Sequence, residues 1–212
     1  MIHAYNESYL SDAMSGLGAM LDYAINACGE PLPMFYARFL RSGIPEQMER
    51  ENPRYLCGLS GIELAQAVAR RTGNPVRDAE PFIDMGSQEY WSGWTLAYLQ
   101  WYFGISFKAL QAAGIHAESL RARYATLHEA DLSKSVAYAA KLLAQHQRQS
   151  NPLKCLRKNA GLTQQSLADR SGLSLRVLRA YEQSQLSLSN ASAASLMRLA
   201  RALGCKPEDL LQ

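Results

Sequence analysis

The densest run of side chains suited to acid–base or metal chemistry is Leu127-His128-Glu129-Ala130-Asp131. A working site of either kind needs partners from elsewhere in the chain. The other histidines, His3, His116 and His146, do not fall at ligand spacing on a common helix. Glu129 and Asp131 also stand where first-turn acids favour a helix beginning near residue 131, so the run reads as helix-start chemistry. There is no glycine-rich phosphate loop, no G-x-S-x-G turn and no Cys/His nucleophile pattern. No catalytic residue, metal ligand or cofactor is expected, and an enzyme is not the favoured reading. Cys28, Cys57, Cys155 and Cys205 are widely spaced and form no C-x-x-C pair, which predicts reduced, mostly buried thiols.

The stronger chemical signal is charge. Residues 152–212 hold nine Lys/Arg against four acids, a net +5, while the whole chain is only +3. A basic tail on a slightly acidic body points to a polyanionic partner for the tail. No apolar run approaches the roughly 18 residues that cross a bilayer. The N-terminus lacks the basic and apolar segments of a secretory signal. The expectation is a cytoplasmic protein with no membrane partner.

The elements that must position these residues read as helices almost throughout, an all-α fold. Over 8–28, Leu10, Ala13, Met14, Leu17, Leu21 and Ala24 recur at steps of three and four. Further helices are predicted at about 33–41, 45–50, 61–71, 89–103, 106–113, 116–125 and 131–148. Glu51-Asn52-Pro53 reads as a turn and residues 74–85 as loop. The polar stretch 145–151 is the expected boundary between a helical domain, 1–148, and a second domain, 149–212. Beyond it helices are short and sharply signalled: 152–159, Gln164–Arg170, Leu175 to about Gln183, 191–203 and a final turn near 207–211. Asn151, Thr163 and Ser174 stand as caps, and Gly161, Gly172 and Gly204 as stops.

Leu156-Arg157, Gly161-Leu162-Thr163-Gln164, Leu167-Ala168, Ser171-Gly172-Leu173-Ser174, Leu178, Tyr181-Glu182, Leu199-Ala200-Arg201-Ala202-Leu203-Gly204 and Asp209-Leu210-Leu211 resemble the five-helix Cro/C1-type (XRE-family) helix-turn-helix. The resemblance spans 151–212, under a third of the chain. It implies binding to double-stranded DNA, with Ser174–Gln183 as the recognition helix in the major groove. The implied DNA-binding residues are Gln164 on a phosphate, then Ser174, Leu175, Arg176, Arg179 and Gln183 along the recognition helix. Arg suits guanine because its fork matches O6 and N7. Arg157 and Glu182 match a charged pair that ties the first helix to the third. Two positions depart from the pattern. Leu175 replaces a frequent polar base-reader and is suited to a thymine methyl instead. Ser184 stands where a glycine often follows the Tyr-Glu segment.

In the N-terminal part, Trp91, Trp94, Tyr98 and Trp101 share one helix face. Such spacing mostly marks core. Part of the face is also the candidate partner surface, since aromatics dominate interface hot spots. Leu59–Val68 resembles the second helix of another helix-turn-helix, but Asn74-Pro75 and Pro81 leave no room for a recognition helix after it. The segments Tyr9–Ala24, Asn52–Ala65 and Glu89–Trp94 loosely resemble uncharacterised bacterial antitoxin-like regulators. The resulting expectation is a homodimeric, autoregulating antitoxin whose N-terminal domain binds a cognate toxin protein. The alternatives are a ligand-sensing repressor and, behind it, an enzyme fused to a DNA-binding module. An exposed apolar patch would favour a protein partner, an enclosed polar-studded pocket a small ligand, and convergent ionisable groups in a cleft an enzyme.

Overall fold

Helix starts are set by short polar side chains that take up the orphaned backbone N–H groups of the first turn. Ser60 Oγ accepts from Glu63 N, and Glu63 Oε2 accepts from Ser60 N, a complete capping box. Ser87 Oγ and Ser106 Oγ likewise accept from Tyr90 N and Ala109 N. The computed structural model describes residues 3–75, 79–149 and 151–211, and among them no strand forms. The first unit, Met1–Leu143, and the second, Ala144–Gln212, each have their own apolar core.

The first unit carries α1 (Leu10–Asp22), α2 (Leu32–Arg41), α3 (Ile44–Glu49), α4 (Pro53–Leu56), α5 (Gly61–Thr72), α6 (Gln88–Phe103), α7 (Phe107–Ala112), α8 (Ala117–Arg121) and α9 (Tyr124–Leu127). Helix α10 (Leu132–Gln149) begins in it, and the division between the units falls inside that helix. The polar stretch at 145–151 is therefore helical through Gln149, because helix propensity suffices where no breaker intervenes. Ser150 lies outside the described residues. The second unit adds α11 (Pro152–Asn159), α12 (Gln164–Ser171), α13 (Leu175–Glu182) and α14 (Ala193–Leu203). The expected fifth helix is one 3-10 turn, Pro207–Leu210, and another such turn, Leu188–Asn190, precedes α14.

Three helices of the first unit meet at backbone distance. A Cβ added at Gly93 of α6 would lie 2.4 Å from the Leu17 carbonyl oxygen of α1. One added at Gly61 of α5 would lie 2.3 Å from Ala19 Cβ. Around this contact Leu17, Met20, Leu64, Leu96 and Leu99 are buried. Gly93 thus lies on the seam between α1 and α6.

Three local readings are corrected. The segment 8–28 is not one regular helix: α1 gives way at Tyr23–Ala27 to a π segment, where Cys28 N donates to Tyr23 O. Pro53 opens α4 instead of ending a turn, with Asn52 as its cap. Residues 116–125 split into α8 and α9. The π segment follows directly on Asp22, whose carboxylate is buried and accepts from Asp84 N, Ser87 Oγ and Asn26 Nδ2 at 2.8, 2.6 and 2.7 Å. Tyr23 Oη donates to Ala79 O, and Tyr124 Oη to Gly86 O. Residues 79–87 are thereby fastened as an irregular strap ahead of α6, in line with the predicted loop; residues 76–78 lie outside the described chain.

Gly93→Ala must push α1 and α6 apart. It should destabilise the first unit by about 1–3 kcal/mol, read as an earlier fluorescence transition of Trp91, Trp94 and Trp101 in urea. All three tryptophans lie in this unit.

Candidate nucleic-acid interface

Each helix of the second unit is set in place by its own cap. Asn151 Oδ1 accepts from Lys154 N, and Pro152 is the first helical residue of α11. Asn151 Nδ2 also donates to Tyr181 O at 2.5 Å, so the cap of α11 holds the end of α13. Thr163 Oγ1 accepts from Ser166 N to start α12. Gly172, at φ 64°, takes the left-handed conformation that lets α12 turn into α13. Ser174 Oγ then accepts from Val177 N to cap α13. Leu153, Leu167, Ala168, Leu178 and Leu199 fill the core beneath.

A buried charged pair fixes how α13 is held. Arg157 Nε donates to Glu182 Oε1 at 2.5 Å and Arg157 Nη2 to Glu182 Oε2 at 3.2 Å. Arg157 Nη1 donates to Leu162 O at 2.6 Å. Glu182 is 5% exposed and Arg157 9%. Gln164 Nε2 donates to Glu182 Oε2 at 2.7 Å, a contact the sequence reading missed. The side chain that the resemblance assigns to a phosphate is therefore half committed inside the domain. Burial pushes the Glu182 carboxyl up, but the hydrogen bonds from Arg157 and Gln164 and the nearby guanidinium outweigh it and hold it below the ordinary value.

The outward face of α13 carries the proposed readers. Arg176 and Arg179 are exposed, with Gln183 at the C-terminal cap of the helix. They border an open concave surface of about 750 Å³, shared with Leu175, Val177, Ala180, Gln185 and Leu186. Leu175 is half-buried against the core, so only part of its side chain is available to a ligand. Ser174 is exposed, and its hydroxyl oxygen serves as the cap. Val177 is half-buried and lines this face. Gln185 and Leu186 were not singled out from the sequence because they lie beyond the helix, where periodicity gives no direction. Ser184 has φ 55°, a left-handed conformation that glycine adopts without a Cβ penalty.

The aromatic face of α6 is largely interior. Trp101 is only 6% exposed; its Nε1 donates to Tyr5 O at 2.9 Å and His3 stacks on its ring. It is removed from the candidate partner surface, because its indole N–H finds its acceptor inside the fold. Trp91, Trp94 and Tyr98 are half-buried, with Trp91 edge-on to Tyr124. Among the described residues of the first unit, the large apolar side chains that face outward are instead Phe82 and Met85 on the strap, and Met34. An open groove of about 520 Å³, lined in part by Met85, runs between α1, the start of α5 and Tyr90, with Gly16, Ala19, Gly58, Asp12 and Ser15 also lining it. Cys28 is buried, but Cys57 and Cys155 are exposed, against the expectation of mostly buried thiols. Among the described residues no group of His, Cys, Asp and Glu could hold a metal, and no helix is long and apolar enough to cross a membrane.

Residues 153–210 match a family model described as helix-turn-helix. Compared with curated proteins and with solved structures, the chain matches none.

Two outcomes follow from this geometry. Glu182→Ala leaves Arg157 buried without its partner and should destabilise the second unit by about 3–5 kcal/mol, measured by amide exchange at Leu178 and Leu199. Because the folded carboxyl titrates below its unfolded value, its contribution is complete above about pH 4.3. That contribution falls away as pH drops from there through the folded value, and Glu182→Gln should lack this part of the acid dependence. Ser184→Gly relieves a left-handed serine and should stabilise the same unit by about 1 kcal/mol; no change in exchange rates would mean that the surrounding contacts offset the strain.

Proposed function

We propose, on the premise that residues 153–210 form a Cro/C1-type helix-turn-helix DNA-binding domain, that the chain is an autoregulating repressor of the antitoxin type. The premise makes it a DNA-binding transcription regulator. The antitoxin role is the further step. In it, residues 1–148 bind a cognate protein and residues 149–212 repress the shared promoter.

The observation that carries the step is the character of the concave surface in the first unit. It is an open groove lined by exposed Met85 and by small residues such as Gly16 and Ala19, and exposed Phe82 belongs to the same strap as Met85. An open apolar surface suits a macromolecular partner, where a sensor of small molecules calls for an enclosed pocket with a few polar groups. At the DNA, Arg176 and Arg179 read guanine edges from the exposed face of α13, with Ser174, Leu175 and Gln183 beside them. Gln164 takes a phosphate with its remaining Nε2 hydrogen, at the start of α12. Two copies bind as a homodimer to half-sites about one helical turn apart.

The test has two arms. Cells expressing the adjoining reading frame should stop growing, and the full chain should restore growth. A Phe82→Asp/Met85→Asp variant should fail to restore it while still binding DNA. Growth that never stops would set aside the antitoxin step and leave a regulator of another kind. For the DNA arm, Arg176→Ala should lose about 1–3 kcal/mol on the best site and relax preference at one base pair. A variant that keeps the parent's preference at every position would remove Arg176 from base reading.

A further inference from the structure

A second cationic surface lies on the helix-turn-helix unit, apart from the face of α13. Arg170 on the last turn of α12 and Arg198 and Arg201 on α14 converge on the turn at Ser171-Gly172. They border an open cleft of about 620 Å³. All three are exposed. Among the described residues none makes an ion pair, and the one side-chain hydrogen bond of the three is Arg198 Nη2 to Ser195 Oγ, at the long distance of 3.4 Å. Arg198 Nη1 lies 3.7 Å from where a Gly172 Cβ would stand, so this guanidinium is laid against the turn itself. The single acid on the cleft, Asp169, already accepts from Gln165 Nε2 at 2.8 Å.

We infer that Arg170, Arg198 and Arg201 form a second clamp for backbone phosphates of duplex DNA, beside the base-reading end of α13. Three like charges brought together repel one another, and the one carboxylate on the cleft, Asp169, is ion-paired to none of them and balances at most one. A guanidinium presents a planar fork that matches a phosphate with two hydrogen bonds. Position selects the polyanion. Gly172 stands two residues ahead of Ser174, the cap of α13. A recognition helix enters the major groove with its N-terminal end on the bases. Cations gathered just ahead of that end face the sugar-phosphate wall of the groove, where contacts fix register and carry no sequence information. The clamp rests on the DNA-binding reading above and extends it, giving the domain one surface for bases and another for backbone.

The test titrates the full chain against a random-sequence DNA duplex over a series of KCl concentrations. Each phosphate contact contributes about 0.9 to the slope of log K against log salt. The Arg170→Gln/Arg198→Gln/Arg201→Gln variant should lower that slope by about 2 to 3 and weaken every sequence alike. The corresponding triple lysine variant keeps the charges and should retain the slope. Circular dichroism should match the parent for both, since the three side chains are exposed. A glutamine variant that binds with the parent's slope overturns the clamp and leaves the DNA-binding reading standing. A parent that binds no duplex at any salt concentration overturns both.

Discussion

The orientation of α13 depends on one buried carboxylate. Glu182 sits at the end of the helix that carries the proposed base-readers, and it is held from two other directions. Arg157 reaches it from α11 with two donors and Gln164 from the start of α12 with one. Removing two charges from water is unfavourable, so such a pair adds little net stability over an apolar contact of the same volume. What it adds is geometry. The guanidinium fork accepts one arrangement of the carboxylate, and its third donor is spent on the Leu162 carbonyl. Apolar packing of Leu153, Leu167, Leu178 and Leu199 brings the helices together. The fork then decides the rotation of α13 about its own axis, and with it where Arg176 and Arg179 point.

The first unit solves the corresponding problem without charge. Backbone meets backbone at Gly93 and Gly61, and the apolar side chains on either side of the seam are packed because the helices come so close. The strap is held by polar contacts, and there Asp22 replaces lost hydration with three donors. The same arrangement explains why apolar surface is left over. A strap tied down by its backbone and by Ser87 does not need Phe82 and Met85 for its own stability, and both remain outside.

Most helix starts were legible because a cap is a local event. Asn151, Thr163 and Ser174 act over three residues, and a reader of the chain sees all the participants. Helix interiors were legible through their period. What escaped reading were facts about partners distant in sequence. The face of α6 shows four aromatics at helical spacing, but which of them is sealed depends on Tyr5, 96 residues away from Trp101. Gln164 looked free for a phosphate because its partner Glu182 is 18 residues on. The strain at Ser184 was half legible: the departure from glycine could be seen, whereas the backbone angle that makes it matter could not.

The π segment after α1 has a consequence for how this chain tolerates change. A π turn amounts to one residue inserted into an α-helix. Deleting any one residue of Tyr23–Ala27 would let the helix run on with regular geometry, and so would look harmless to local propensity. Each residue of an α-helix turns the chain by about 100°. A deletion ahead of Asn26 would therefore turn its amide away from Asp22 and Glu89, which it bridges. Apart from Tyr23 and Asn26, whose side chains hold Ala79 and Asp22, the number of residues in this stretch matters more than their kind. Substitutions that keep the count should accumulate among relatives, while insertions and deletions should be weeded out.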